Sequence, residues 1–175
     1  SPLVRYVAPI DGIERFRYTT SRPVEFYGNL INAYATVPEL VSHLHLPVQS
    51  GSNRILEAMR RRYTRERYLE IISGLRSQRP DLALTSDLIV GFPGETEADF
   101  QDTLALVREA GFVDSFSFKY SERPGTTALE LADPVDPDTA QRRLSELQDL
   151  QKAQTLAYHE SRVGEAAVVL IDGPS

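Results

Sequence analysis

Cysteine is missing from all 175 residues, which excludes disulfides, thiolate nucleophiles and cysteine-held zinc or iron–sulfur sites within this stretch of polypeptide. No apolar run is long enough to cross a bilayer, and the opening Ser-Pro-Leu-Val-Arg lacks the charged-then-apolar layout of a secretory signal. A cytoplasmic protein with no membrane association is therefore expected. Positive charge is also short. With 19 Lys and Arg against 25 Asp and Glu the net charge is −6, which argues against a module dedicated to sequence-independent nucleic-acid binding. One segment breaks that balance: Arg54, Arg60, Arg61, Arg62, Arg65 and Arg67 face only Glu57 and Glu66 between them.

A hydrophobic share of 41% and a charged share of 25% belong to a folded chain of about one domain, or one domain and the start of another. Two stretches organise it. In His43-Leu-His-Leu-Pro-Val-Gln-Ser-Gly-Ser52, Leu44, Leu46 and Val48 alternate with His43, His45, Pro47 and Gln49, so a strand over 43–49 separates an aliphatic face from a polar one. In Ser86-Asp-Leu-Ile-Val-Gly-Phe-Pro-Gly-Glu-Thr96, Thr85, Asp87, Ile89 and Gly91 share one face, and Ser86, Leu88 and Val90 the other. Both runs end in glycine turns ahead of helical patterns. An aliphatic back, a polar front and a glycine turn at the C-terminal end describe a strand of a (β/α) barrel, whose active-site groups gather at that end.

Strand-then-helix alternation recurs at roughly 30-residue spacing, the length of a βα unit. The first unit has a strand at 15–21 and a helix entered at Pro23 and running through Tyr34. The second has its strand at 43–49, a short helix from Asn53 to Arg61 capped by Ser52 or Asn53, and a helix over 64–78 with Tyr68, Ile72 and Leu75 on one stripe. The third has a strand at 82–90 and a helix entered through the capping box Thr96-Glu-Ala-Asp99 and stopped at Gly111. A fourth strand, 114–120, alternates Phe116, Phe118 and Tyr120 with Ser115, Ser117 and Lys119; with the aromatics outward, Lys119 points into the barrel. Asp136 and Pro137 open a long helix closing at Gly164. Ala166-Ala-Val-Val-Leu-Ile171 reads as the first strand of a further β domain. The expected class is α/β, an open, partial TIM-like barrel over 1–163 followed by the beginning of a β domain at 164–175.

The Gly91-Phe-Pro-Gly-Glu95 turn can cradle a polar or anionic group with backbone N–H groups, or simply close a tight βα loop. It is not a Walker loop, since no Gly-Lys-Ser/Thr follows. His43 and His45 share a strand face but lack a third ligand at a metal-site spacing. The arginines from 60 to 67, with Tyr63 and Tyr68, fit either a solvated helix face or a grip on a phosphate backbone with an aromatic under a base.

Four segments in register, 43–52, Met59-Arg-Arg-Arg-Tyr-Thr64, 86–96 and Tyr120-Ser-Glu-Arg-Pro-Gly-Thr126, resemble the radical S-adenosylmethionine methylthiotransferases, over about residues 11–173. The likeness is greatest to the branch that adds a methylthio group to C2 of the isopentenylated adenosine next to the tRNA anticodon. The resemblance implies an open six-unit barrel holding a cysteine-bound [4Fe–4S] cluster that cleaves S-adenosylmethionine, a second cluster that acts as sulfur donor, and a C-terminal TRAM-like β domain that grips tRNA. The cluster's three-cysteine loop belongs to the first barrel strand, so the resemblance makes this chain a fragment, inactive alone.

Carried over by position, the resemblance sets Ile89 and Gly91 against the adenine of S-adenosylmethionine, with Phe92 and Glu95 in the same motif. Glu95 falls one place later than in the commonest spacing. Gln49 and Ser50 take the ribose or methionine position; Asp87 and Lys119 are inward-facing candidates for catalysis. Arg61, Arg62, Tyr63 and Arg123 are candidates for contact with the anticodon stem-loop. Two alternatives stay open: a methylthiotransferase acting on a ribosomal-protein aspartate, and a non-catalytic RNA-binding scaffold.

Overall fold

The computed structural model describes residues 2–19, 27–122 and 133–167, with 124, 125, 128, 131 and 173 as single positions. The elements are α1 (Pro2–Val7), β1 (Phe16–Thr19), α2 (Tyr27–Thr36), β2 (Leu40–His45), α3 (Asn53–Ala58), α4 (Arg65–Gln78), β3 (Ala83–Val90), α5 (Glu97–Ala110), β4 (Asp114–Lys119) and α6 (Pro137–Ser161). The four strands are parallel and ordered β1-β2-β3-β4, the order in which they occur in the chain. This is a segment of a (β/α) barrel. The entry to the first helix at Pro23, residues 168–171 of the strand expected at 166–171, and Arg123 fall outside the described residues.

Alternation in β2 and β3 explains the layering. Leu44, Leu46, Val48, Leu84, Leu88 and Val90 have no exposed surface and pack with Tyr68, Ile72 and Leu75 of α4 and Phe100, Leu104 and Val107 of α5 into one core. Each such side chain contributes about 1.5–3 kcal/mol relative to exposure. Thr85, Asp87 and Ile89 stay half-buried on the opposite, concave face.

The helices start where side chains satisfy their first N–H groups. The Ser52 hydroxyl caps α3, Thr64 caps α4, the Thr96–Asp99 box opens α5, and Asp136 with Pro137 opens α6. Gly111, at φ +58°, ends α5 in the left-handed conformation.

The strand expected at 43–49 instead runs over 40–45, because Pro47 has no N–H to pair. The ladder resumes at Gln49, which bridges to Leu88. In β4 the expected faces are exchanged. Register sets Phe116 beside Asp87 and Phe118 beside Ile89 on the concave side, while Ser115, Ser117 and Lys119 pair with Ser86, Leu88 and Val90 on the helix side. Polar α6 is the cause. Gln151 and Thr155 donate to the carbonyls of Phe112 and Val113 beneath it, so serines rather than aromatics fit there. Lys119 accordingly shares the register of the helix-side residues and reaches Gln141 of α6 at 3.0 Å, meeting the cleft only from its place at the end of the strand.

Candidate active site

At the C-terminal ends of β2, β3 and β4 lies a cleft of about 510 Å³. Its floor and one wall are Gln49, Asp87, Ile89 and Phe92; Phe118, Lys119 and Tyr120 close the far side, and Ala58, Met59, Arg60 and Arg61 form the rim. The polar groups that alternation aimed at one face therefore do meet.

Gln49 stands at φ +77°, a left-handed conformation that costs a non-glycine residue about 1–2 kcal/mol. It is held there by two backbone bonds to β3: its N–H donates to the carbonyl of Asp87 and its carbonyl accepts from Ile89, each at 2.9 Å. Asp87 lies 3.4 Å from Nε2 of His45, whose Nδ1 is 3.0 Å from the Thr85 hydroxyl. The two histidines that share this strand face are used separately, His45 on Asp87 and Thr85 and His43 beside Arg17. Burial, then the neighbouring Arg17 and His45, hold the His43 imidazole below its ordinary value. Phe92 is buried edge-on against Tyr120, ring centres 5.1 Å apart.

Other expected site residues face elsewhere. Ser50 is fully buried, its hydroxyl 3.3 Å from that of Thr103 on α5. Gly91 turns at φ +73° against α6, where an added Cβ would come 2.9 Å from the Cβ of Ala140. The Glu95 side chain has no exposure and lies outside the cleft, accepting from the Gly91 N–H at 2.9 Å and pairing with Arg143 at 2.8 Å. Burial pushes its carboxyl up, against the pull of Gly91 and Arg143. Tyr63 is not free to stack on a base: its hydroxyl donates to the Val48 carbonyl at 3.1 Å and its ring stacks on Tyr68. Burial pushes that phenol up to about 12. Arg61 lines the rim and Arg62 is exposed. Sequence reasoning did not place Met59, Phe118 and Tyr120 at the site and had Arg60 only as one of a run of arginines; the helix turn after α3 and the true face of β4 bring all four to the cleft.

A network ties the two glycine turns together. Asp99, at the start of α5, accepts from the Ser52 hydroxyl at 2.6 Å, from the Thr96 N–H at 2.8 Å and from Arg54. Burial works to raise its pKa, and hydrogen bonds from Arg54, Ser52 and Thr96 outweigh it, holding the carboxyl well below the usual carboxylate range.

Residues 3–107 match the family model of the radical SAM superfamily. The chain belongs to that superfamily. It is 53% identical over 173 residues to a tRNA-2-methylthio-N(6)-dimethylallyladenosine synthase of Methylococcus capsulatus, covering 99% of this chain and 38% of that one. The synthase of the same name from Psychrobacter arcticus is 54% identical over 170 residues, 97% of this chain and 34% of that one. The radical SAM chain thus spans little more than a third of the length of these relatives. Among solved structures, the coproporphyrinogen III oxidase of Escherichia coli, a radical SAM enzyme, superposes with a TM-score of 0.65 over 80% of this chain and 32% of that one. At 18% identity that likeness bears on the fold alone.

Proposed function

We propose that this chain is the later portion of the catalytic barrel of a tRNA methylthiotransferase. The reaction is addition of a methylthio group to C2 of an isopentenylated adenosine beside the anticodon, with S-adenosylmethionine as radical source and methyl donor. The observation that carries this reading is the cleft, in which Gln49, Asp87 and Ile89 converge at the C-terminal ends of the strands.

The cleft fits S-adenosylmethionine in kind as well as size. Ile89 and Phe92 offer apolar surface for a purine, and Gln49 and Asp87 offer an amide and a carboxylate for ribose hydroxyls and an ammonium. Bound there, S-adenosylmethionine supplies the radical and the methyl group; this chain's residues bind it and fix its orientation. A [4Fe–4S] cluster does not fit, because no cysteine is present to hold it. In this reading its ligands, the sulfur donor and the remainder of a TRAM-like domain beginning at 164 come from other parts of a longer protein, and the substrate is the anticodon stem-loop of tRNA in the cytoplasm.

The test is the nucleoside composition of tRNA. Expression of the full-length protein in cells lacking the modification should convert the isopentenylated adenosine into its 2-methylthio derivative, read by mass spectrometry of tRNA hydrolysates. An unchanged hydrolysate from soluble, cluster-loaded protein sinks the reading. The isolated chain should show neither iron absorbance after reconstitution nor cleavage of S-adenosylmethionine.

A further inference from the structure

The turn that follows α3 carries a feature the reaction outlined above does not use. The Arg60 N–H donates to the Glu57 carbonyl and the Arg61 N–H to the Leu56 carbonyl, each at 2.8 Å, which is the paired closure of a Schellman motif. In that motif the residue at the Arg60 position is left-handed and is most often glycine. Arg60 adopts φ +56° and stores the strain of a side chain there.

The second observation concerns charge. Of the six arginines between 54 and 67, Arg54 is engaged by Asp99, Arg65 by Glu109 and Arg67 by Glu70. Among the described residues, the guanidinium groups of Arg60, Arg61 and Arg62 have no hydrogen-bonded acceptor and no acidic partner, and Nε of Arg61 is shielded from solvent without one. Arg60 and Arg61 line the cleft, and Gln49, a second non-glycine residue at positive φ, lies in the same cleft. A neutral glycine would close this helix at lower conformational cost, so the arginine side chain itself is what the position is used for.

We infer that Arg60, presented by a strained left-handed turn at the rim of the cleft, is a binding residue for a backbone phosphate of the RNA substrate, with Arg61 beside it. Guanidinium groups suit phosphate because their fixed fork matches two of its oxygens. Releasing one counterion per phosphate makes such a contact visible in the salt dependence of binding. The inference rests on the reading of the cleft as a methylthiotransferase site.

The test compares wild-type full-length protein with Arg60→Gly and Arg60→Lys for binding an anticodon stem-loop carrying the isopentenylated adenosine, between low and moderate salt. Arg60→Gly relieves the backbone while removing the charge. It should melt no lower than wild type, bind the stem-loop roughly three- to ten-fold more weakly, and reduce the slope of log affinity against log salt by about one. Arg60→Lys should retain the slope. Unchanged affinity and slope in Arg60→Gly, a lowered melting temperature, or an effect confined to the KM for S-adenosylmethionine would each overturn the inference while leaving the methylthiotransferase reading in place. Wild-type protein that fails to bind the stem-loop removes both.

Discussion

Arg143 of α6 and Glu95 of the turn after β3 meet at 2.8 Å, with side-chain exposures of 5% and 0%. Glu95 also receives the Gly91 N–H, so one carboxylate fixes the turn that carries Phe92 into the cleft and anchors it to the last helix. The remaining carboxylate oxygen and Nε of Arg143 are buried without partners, while the guanidinium also donates to the Glu95 carbonyl at 3.1 Å and to the Glu97 carboxylate at 3.3 Å.

Removing one partner of such a pair strands a buried charge. Arg143→Met should cost about 3–5 kcal/mol at neutral pH in urea unfolding. Burial already raises the Glu95 pKa, and loss of Arg143 raises it further. A raised folded-state pKa favours the native state below the ordinary glutamate value, and that advantage fades as pH rises through the raised one. The deficit of Arg143→Met should therefore shrink on acidification from pH 7.5 to about 5. A deficit independent of pH would mean that Glu95 does not feel the lost cation.

Asp99 should behave in the opposite sense. Its carboxyl is held low by Arg54, Ser52 and Thr96, so the stability it contributes is complete above the ordinary aspartate value and is lost as pH falls below it. Asp99→Ala should cost about 2–3 kcal/mol at pH 7, since it leaves the Ser52 hydroxyl and the Thr96 N–H unpaired. The difference from wild type should narrow toward pH 3, measured as urea midpoints across a pH series. Equal midpoints at pH 7 would show that the two turns hold without this carboxylate.

Much of this arrangement was legible in the residues themselves. Period-two alternation at 83–90 separated the core face from the cleft face without error, because a strand with helices on one side leaves no other place for Leu84, Leu88 and Val90. The capping residues at 52, 96 and 136 marked helix starts because orphan N–H groups demand them. The fourth strand misled, since its faces are chosen by what α6 presents, and a helix fifteen or more residues later is invisible in a local pattern. The motif residues Ser50, Gly91 and Glu95 read as ligand contacts when two of them serve the packing of the turns and the third closes one. Spacing identifies a turn, but only tertiary contact says which side of it faces the cleft.

Gly51 offers a steric test of the clamp between the first turn and α5. A Cβ there would lie 2.4 Å from the Asp102 carbonyl oxygen and 2.6 Å from the Thr103 Cα, backbone atoms that no rotamer change can clear. Gly51→Ala should destabilise by at least about 2 kcal/mol. Gly28, in α2 with nothing within 4 Å of a built Cβ, is the control, and Gly28→Ala should stabilise by about 0.4–1 kcal/mol. Thermal melts of the two variants should move in opposite directions; a tolerated Gly51→Ala would disprove the close approach.

Gln49 separates backbone cost from ligand binding within one residue. Its two backbone bonds to β3 do not involve the side chain, and its φ of +77° suits glycine. Gln49→Gly should preserve both bonds and relieve about 1 kcal/mol of strain, raising the melting temperature above that of wild type and of Gln49→Ala, which keeps the strained backbone. Both variants lose the amide that lines the cleft beside Asp87 and Ile89. Loss of one hydrogen bond to ligand is worth about 1.4 kcal/mol, so each should weaken S-adenosylmethionine binding to the cluster-loaded full-length protein about ten-fold by calorimetry. Equal affinity in all three proteins would place the cosubstrate away from Gln49 and with it from the floor of the cleft.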